Sequence, residues 1–260
     1  HPPLNPPAFY MERYLRTGVP ERVIGDWAVP PPDGGKGMDV SSAAVDLTGE
    51  ALLSARAGYY GLLNHMDDQI RRILNPVTGV DKMTTGNTIV ALTSDHGEML
   101  GDHHLWRKTY AYEASARVPF IVRPPNSMTD AVRNTEMGAP VTVGWEDIMP
   151  TFLEAAGLKI PETVDGASVL PLLRGQTDHW RPYYHGEHSP CYHPENANQY
   201  LTDGHWKYIW NTITGQEQLF HLDDDPHECH DRAPDGAEPL PAWRQRMVEQ
   251  LKDREDGLSD

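Results

Sequence analysis

The stretch that most constrains this chain is ALTSDHGEMLGDHHLWRK, residues 91–108. A short β-branched apolar run, NTIVALTSD, breaks on an acid, an imidazole and a glycine, and a lone lysine follows one loop later. Runs of this length bounded by turn residues read as buried strands, and the ends of such strands are where α/β sheets bind ligands. Asp95 and His96 can share a divalent cation there. Gly97 lets the chain turn away, and Glu98 is placed to hold His96 from behind. The residues alone leave an alternative open: Asp95 caps the following turn and His96 faces water, since two candidate ligands do not make a site. Lys108 brings a cation to an anionic substrate or is a solvated loop lysine. His103 and His104 line a pocket, or one is buried and the other wet.

The rest of the pattern predicts an α/β fold. Ahead of the strand, Leu52, Ala55, Tyr59, Leu63, Met66, Ile70 and Ile73 recur at helical steps, with TGE as start and NP as stop. Asn75, before Pro76, is steered away from helical dihedrals. RVPFIVRPP predicts a second buried strand. WEDIMPTFLEAAGL predicts a helix that tolerates Pro150 only in its first turn and closes at Gly157. Residues 1–40, rich in Pro and Gly, predict an irregular loop. Beyond SVLPLLRGQT the texture changes. RPYYHGEH, NQYLTDGHWKYIW and EQLFHLDDDP alternate aromatic and polar residues around TDG and ITG turns, which predicts a small antiparallel sheet. PAWRQRMVEQLKD closes as a helix with Trp243, Met247 and Leu251 on one face. The expected organisation is a larger α/β part over 1–176 and a C-terminal α+β subdomain over 177–260.

With 260 residues the chain can bury a sizeable core. Its formal net charge of −16 argues against nucleic acid as a partner, because duplex affinity comes from neutralising phosphates. No stretch is long and apolar enough to span a membrane. Cys191 and Cys229 either pair or remain thiols, and say little about compartment.

Taken together, TSDHGEMLGDHHLWRKTYAYEASARVPFIVRPP resembles the signature of the sulfatase family, in the alkaline phosphatase superfamily. HPPLNPPAFYMERY, YYGLLNHMDDQIRRIL, DIMPTFLEAAGL, VDGASVLPLL and WKYIWNTITGQEQLFHLDDDPHE resemble further family stretches in the family's order. The resemblance implies part of an alkaline-phosphatase-like α/β/α domain followed by a small antiparallel sheet with a helix. It implies hydrolysis of a sulfate monoester on a sulfated small molecule or sugar. Asp95 and His96 would ligate the metal, usually calcium with manganese possible, histidine standing where many members carry asparagine. Lys108 would contact the sulfate or the bridging oxygen, and His1 would bind the sulfate or protonate the leaving group. A metal, a lysine and an imidazole around a sulfate ester stabilise the charge that builds on its oxygens.

The family's nucleophile, a formylglycine made from Cys-x-Pro-x-Arg or a serine variant, has no counterpart here. Cys191 is followed two residues later by His193, and Cys229 by Asp231. The paired aspartates that complete the metal site also lie upstream of His1 in the family. The expectation is therefore a C-terminal part, inactive alone, whose partner is the N-terminal half of the same enzyme and which exposes sheet edges and apolar surface. Compartment and oligomeric state stay open.

Other groups are weaker candidates. In YYHGEHSPCYHPE the His, Cys and Glu spacing fits no standard zinc site; His185 and His188 are expected instead to line the entrance beside the leaving group. HLDDDPHE predicts a turn capped by Asp225, and Arg117 is expected to pair with Glu113. The pocket around His1, Lys108 and the metal should be locally positive to receive an anion. The competing functions are a phosphonate or phosphodiester hydrolase sharing Asp95, His96 and Lys108, and a non-catalytic fragment that only binds metal or a partner.

Overall fold

The structure is a computed structural model that describes residues 2–32, 44–75, 87–131, 141–190, 196–252 and 254. Helix α1 (Ala8–Thr17) forms within the segment for which an irregular loop was expected. Its prolines lie ahead of the first turn, where a missing N–H costs nothing, and Gly18 stops it at φ +80°. Helix α2 (Gly49–Ile73) runs for 25 residues, as its periodicity predicts.

The buried face of α2 differs from the expected one. Ala57, Gly58 and Gly61 are covered, whereas Leu63, Met66 and Ile73 are exposed. The cause is the approach of the N-terminal segment. A Cβ on Gly58 would lie 2.4 Å from the Leu4 carbonyl oxygen, and one on Gly61 2.7 Å from the Pro6 ring. Tyr10 and Tyr14 then donate from α1 to Asp68 (2.7 Å) and Asn64 (2.9 Å) on α2.

Strand β1 (Val90–Thr93) pairs antiparallel with β2 (Phe120–Arg123), and the short helix α3 (Glu113–Ala116) lies between them in sequence. Both strands were expected to be buried. Instead Leu92 and Ile121 are exposed, because among the described residues the pair forms a two-stranded ribbon with no layer over these side chains. Helix α4 (Ile148–Ala155) carries Pro150 in its first turn and closes at Gly157, φ +69°, with the Leu158 N–H returning to the Leu153 carbonyl. The short helix α5 (Leu170–Leu173) follows.

Strands β3 (Tyr184–His188), β4 (Asn198–Thr202), β5 (Trp206–Asn211) and β6 (Glu217–His221) form an antiparallel meander in chain order. One face is covered by α6 (Leu240–Leu251), with Leu201, Tyr208 and Leu219 packed on Trp243, Met247 and Leu251. The other face packs Ile209 and Phe220 on Ala111, flanked by Trp27, Tyr112 and Tyr200. Asp225 accepts from the Cys229 and His230 N–H groups, the turn its position before Pro226 predicts. Arg117 lies 3.6 Å from Glu113 as expected.

Lys207 joins this sheet to the segment between the ribbon strands. Its side chain is 1% exposed. Its ammonium donates to the Ala111 carbonyl (2.7 Å) and lies 2.5 Å from Glu113 Oε1 and 3.0 Å from Glu228 Oε1. Glu228 Oε2 in turn accepts from the Glu113 N–H (2.6 Å). Burial opposes the lysine's charge, but Glu228 and Glu113 outweigh it and hold the ammonium above its ordinary value. Burial pushes the Glu228 carboxyl up to about 7, against the pull of Lys207 and with the help of Glu113.

Three outcomes follow from this packing. Lys207→Met leaves the buried Glu228 and the half-buried Glu113 without their cation and should cost about 3–5 kcal/mol in urea unfolding; a cost near zero would show that the cluster does not hold the sheet. Glu228 binds its proton more tightly folded than unfolded, so its contribution is complete below the unfolded value of 4.5 and is lost as pH rises toward about 7. Glu228→Gln should remove that component from a stability-against-pH profile. Gly58→Ala raises helix propensity yet should destabilise by about 1–3 kcal/mol, because the methyl meets Leu4. Stabilisation by that variant would refute the proposed packing of α2.

Candidate functional site

The chain leaves β1 at Thr93 and turns at once. The Asp95 Oδ1 accepts from the His96 N–H (3.1 Å), and Ser94 Oγ donates to the His96 carbonyl (2.8 Å). Gly97 then passes against α3. Its N–H donates to the Ser115 carbonyl (2.7 Å), that of Glu98 to the Ala114 carbonyl (2.9 Å), and a Cβ on Gly97 would lie 2.1 Å from the Ala114 oxygen. Only glycine fits this crossing.

These bonds leave Asp95 Oδ2 and His96 Nε2 3.4 Å apart. His96 Nδ1 lies 2.8 Å from the Gly97 carbonyl, a partner that can only accept, so Nδ1 carries a proton and in the neutral ring Nε2 is a bare lone pair. Two ligand atoms at right angles around an ion, each about 2.2 Å from it, lie roughly 3.1 Å apart. The pair fits two adjacent positions of a divalent ion's shell. Among the described residues no group of three or more His, Cys, Asp or Glu is arranged to hold an ion.

Glu98 does not reach behind His96 as expected. Its Oε1 accepts from the N–H groups of Arg107 and Leu100, closing the following loop. Burial pushes its carboxyl up, against the pull of those N–H groups and of the charges on Lys108 and His96. Lys108 is half-buried on the same loop. Tyr59 of α2, which the periodicity assigned to the apolar face, belongs to this neighbourhood. Burial raises its hydroxyl, and the charges of Glu98 and Asp95 add to the effect. The helical spacing gave no sign of that role.

The loop is strained. Leu100, His103, His104, Arg107 and Thr109 all have positive φ, from 51° to 102°. Non-glycine residues in this region are uncommon, and a β-branched one such as Thr109 is an outlier. Part-buried polar bonds hold the loop there. Asp102 accepts from the Val23 N–H (3.0 Å) and from Arg56 (3.2 Å), and His104 Nδ1 lies 3.1 Å from Asp46.

The structure corrects two expectations for substrate contacts. His103 is buried with both nitrogens engaged: Nδ1 accepts from the Gly25 N–H (2.9 Å) and Nε2 donates to the His227 carbonyl (3.0 Å). Burial lowers its proton affinity, consistent with this neutral tautomer, so His103 orders the loop and offers no nitrogen to a ligand. His104 is buried as well. His185 and His188 stand three apart on β3 and so face opposite ways. His185, opposite Leu201, is on the α6 face and bonds Gln199 (2.7 Å), while His188, opposite Asn198, is on the face that meets Ala111. His1, Cys191 and His193 lie outside the described residues. Cys229 is a free thiol.

Comparison with known proteins agrees along the whole chain. Residues 6–158 match the sulfatase family, and residues 101–255 match the family described as N-sulphoglucosamine sulphohydrolase, C-terminal. An arylsulfatase of Clostridium perfringens is 36% identical over 262 residues, covering 100% of this chain and 53% of the relative. An N-acetylglucosamine-6-O-sulfatase of Bacteroides thetaiotaomicron is 31% identical over 71% of this chain and 34% of its own length. The phosphonate monoester hydrolase of Silicibacter pomeroyi superposes with a TM-score of 0.75 at 26% identity, covering 98% of this chain and 54% of that one. The chain thus spans about a third to a half of these proteins, and it belongs to the sulfatase family of the alkaline phosphatase superfamily.

Proposed function

We propose that this chain carries part of the active site of a sulfuric ester hydrolase acting on a sulfated small molecule or sugar. The observation that supports it best is the approach of Asp95 Oδ2 and His96 Nε2 to 3.4 Å, followed by a half-buried Glu98 that feels the charge of Lys108, in a member of the sulfatase family. In this reading residues 1–176 belong to the catalytic α/β part and 177–260 to a C-terminal subdomain.

Asp95 and His96 would hold a divalent ion, calcium or manganese; carboxylate oxygens suit both, while an imidazole is the softer donor. When bound, such an ion draws electron density from the sulfate oxygens. Lys108 neutralises charge on the sulfate or the bridging oxygen, and the strained backbone on either side fixes where its ammonium can reach. His1 binds the sulfate or protonates the leaving group. His188 borders the leaving-group side. The remaining ligands and the formylglycine come from a preceding N-terminal half, which also covers the exposed Leu92, Ile121, Met149 and Phe152.

A second reading shares Asp95, His96 and Lys108 and hydrolyses a phosphonate or phosphate ester. The match to the Silicibacter hydrolase over 98% of the chain favours keeping it.

The test uses the complete gene product and aryl sulfate and aryl phosphonate side by side. Lys108→Ala should lower kcat on the sulfate roughly 10²–10³-fold with an unchanged unfolding midpoint. Asp95→Asn should abolish the rise in midpoint given by added calcium or manganese. The 260-residue chain alone should turn over neither substrate. Full activity in Lys108→Ala would overturn the reading, and a preference for phosphonate would transfer it to the second.

A further inference from the structure

Ser94 is held from outside the turn that it opens. Its carbonyl accepts from the Trp145 indole N–H at 3.0 Å, between residues 51 apart in sequence. The sequence marks Trp145 only as the first residue of a helical stretch. In the structure it is 50% exposed, and its nitrogen reaches back to the end of β1. An indole has one donor and no acceptor, so this bond is all the polar chemistry the side chain has.

A buried carboxylate two residues on aims the indole. Asp147 has no exposed surface. Its Oδ2 accepts from the Gly144 N–H (2.9 Å), its Oδ1 accepts from the Ala167 N–H (2.9 Å), and it pairs with Arg181. Arg181 also donates to Glu146 (2.8 Å). Gly166 packs so closely that a Cβ there would stand 1.9 Å from the Glu146 carbonyl oxygen. The backbone on both sides of Trp145 is thus pinned to two other segments, and the indole leaves a rigid platform.

The Ser94 carbonyl and the Asp95 N–H belong to one planar peptide unit. Holding that carbonyl fixes the rotation of the plane, and with it the direction in which the Asp95 side chain leaves the backbone. On the far side, the Gly97 and Glu98 N–H groups are held by the Ser115 and Ala114 carbonyls. Asp95 and His96 therefore stand between two anchors of independent origin, α3 and the platform at Asp147. Asp95 depends on the second of these, because its side chain is 74% exposed and packing contributes little to its direction.

We infer that Trp145 is a positioning residue of the proposed metal site. By holding the Ser94 carbonyl it keeps Asp95 Oδ2 turned toward His96 Nε2, and so raises the affinity for a divalent ion that it does not itself touch. The inference rests on the reading that Asp95 and His96 hold that ion.

The test measures manganese binding to the complete gene product, stripped of metal, from the paramagnetic resonance signal of the ion left free. No turnover is needed. Trp145→Phe keeps an aromatic ring and removes the N–H, while Trp145→Gln removes the ring and restores an N–H donor at a similar reach. Trp145→Phe should bind manganese about five- to tenfold more weakly, the effect of one neutral hydrogen bond acting through a ligand. Trp145→Gln should recover part of that loss. A side chain that only packs gives the opposite order, with the Phe variant close to wild type and the Gln variant weaker. That order, or equal binding by the two variants, overturns the inference. The metal-site reading fails separately. Wild type that binds no manganese, or Asp95→Asn that binds it as tightly, would remove that reading and this inference together. A loss in Asp95→Asn with none in Trp145→Phe would remove only the role of Trp145.

Discussion

The contact between the Lys207 ammonium and the carboxylates of Glu113 and Glu228 fixes how the four-strand meander meets the segment between the ribbon strands. Such a cluster is weak evidence for net stability, because taking charges out of water costs as much as their attraction returns. Its force lies in geometry. The lysine is satisfied only if β5 lies against Ala111 and Glu113, and Glu228 also receives the Glu113 N–H. Glu113 begins α3, and the carbonyls of Ala114 and Ser115 on that helix hold the backbone of Gly97 and Glu98. The position of Asp95 and His96 is therefore inherited, through one short helix, from a charge cluster on the far sheet.

Periodicity exposed the elements whose burial is one-sided. The C-terminal helix and the four-strand meander follow from alternation and turn residues, and Trp243, Met247 and Leu251 face the sheet as spaced. It misled wherever a neighbour rather than propensity decides the face. On α2 the large apolar residues look like the core, but Leu4 and Pro6 need room that only Gly58 and Gly61 give. On β1 and β2 the apolar runs promise burial that the described residues do not supply.

At the site the sequence was legible as chemistry and less so as direction. The acid and imidazole after the strand do face each other, because the turn engages Asp95 Oδ1 and His96 Nδ1 and leaves Oδ2 and Nε2 toward one another. The spacing of His103 to the same motif carried no sign that Gly25 and His227 would claim both of its nitrogens from distant parts of the chain. For His185 and His188 the strand period already contained the answer, since an odd separation cannot put two side chains on one face. Lys207 was hidden among aromatic residues, where a lone cation gives no pattern.

The two-stranded ribbon has a consequence for how this region melts. Among the described residues these four-residue strands pair only with each other, and such a pair is marginal in water. The amides of β1 should exchange with solvent through local opening long before those of β5, which share the global transition. Gly97 and Glu98 are clamped to α3 and belong to the slower class. Asp95 and His96 therefore sit at a seam, with a fraying strand on one side and an anchored turn on the other. A cation bound by both side chains would tie the two kinetic populations together, and the protection of β1 would rise without any change in its own pairing.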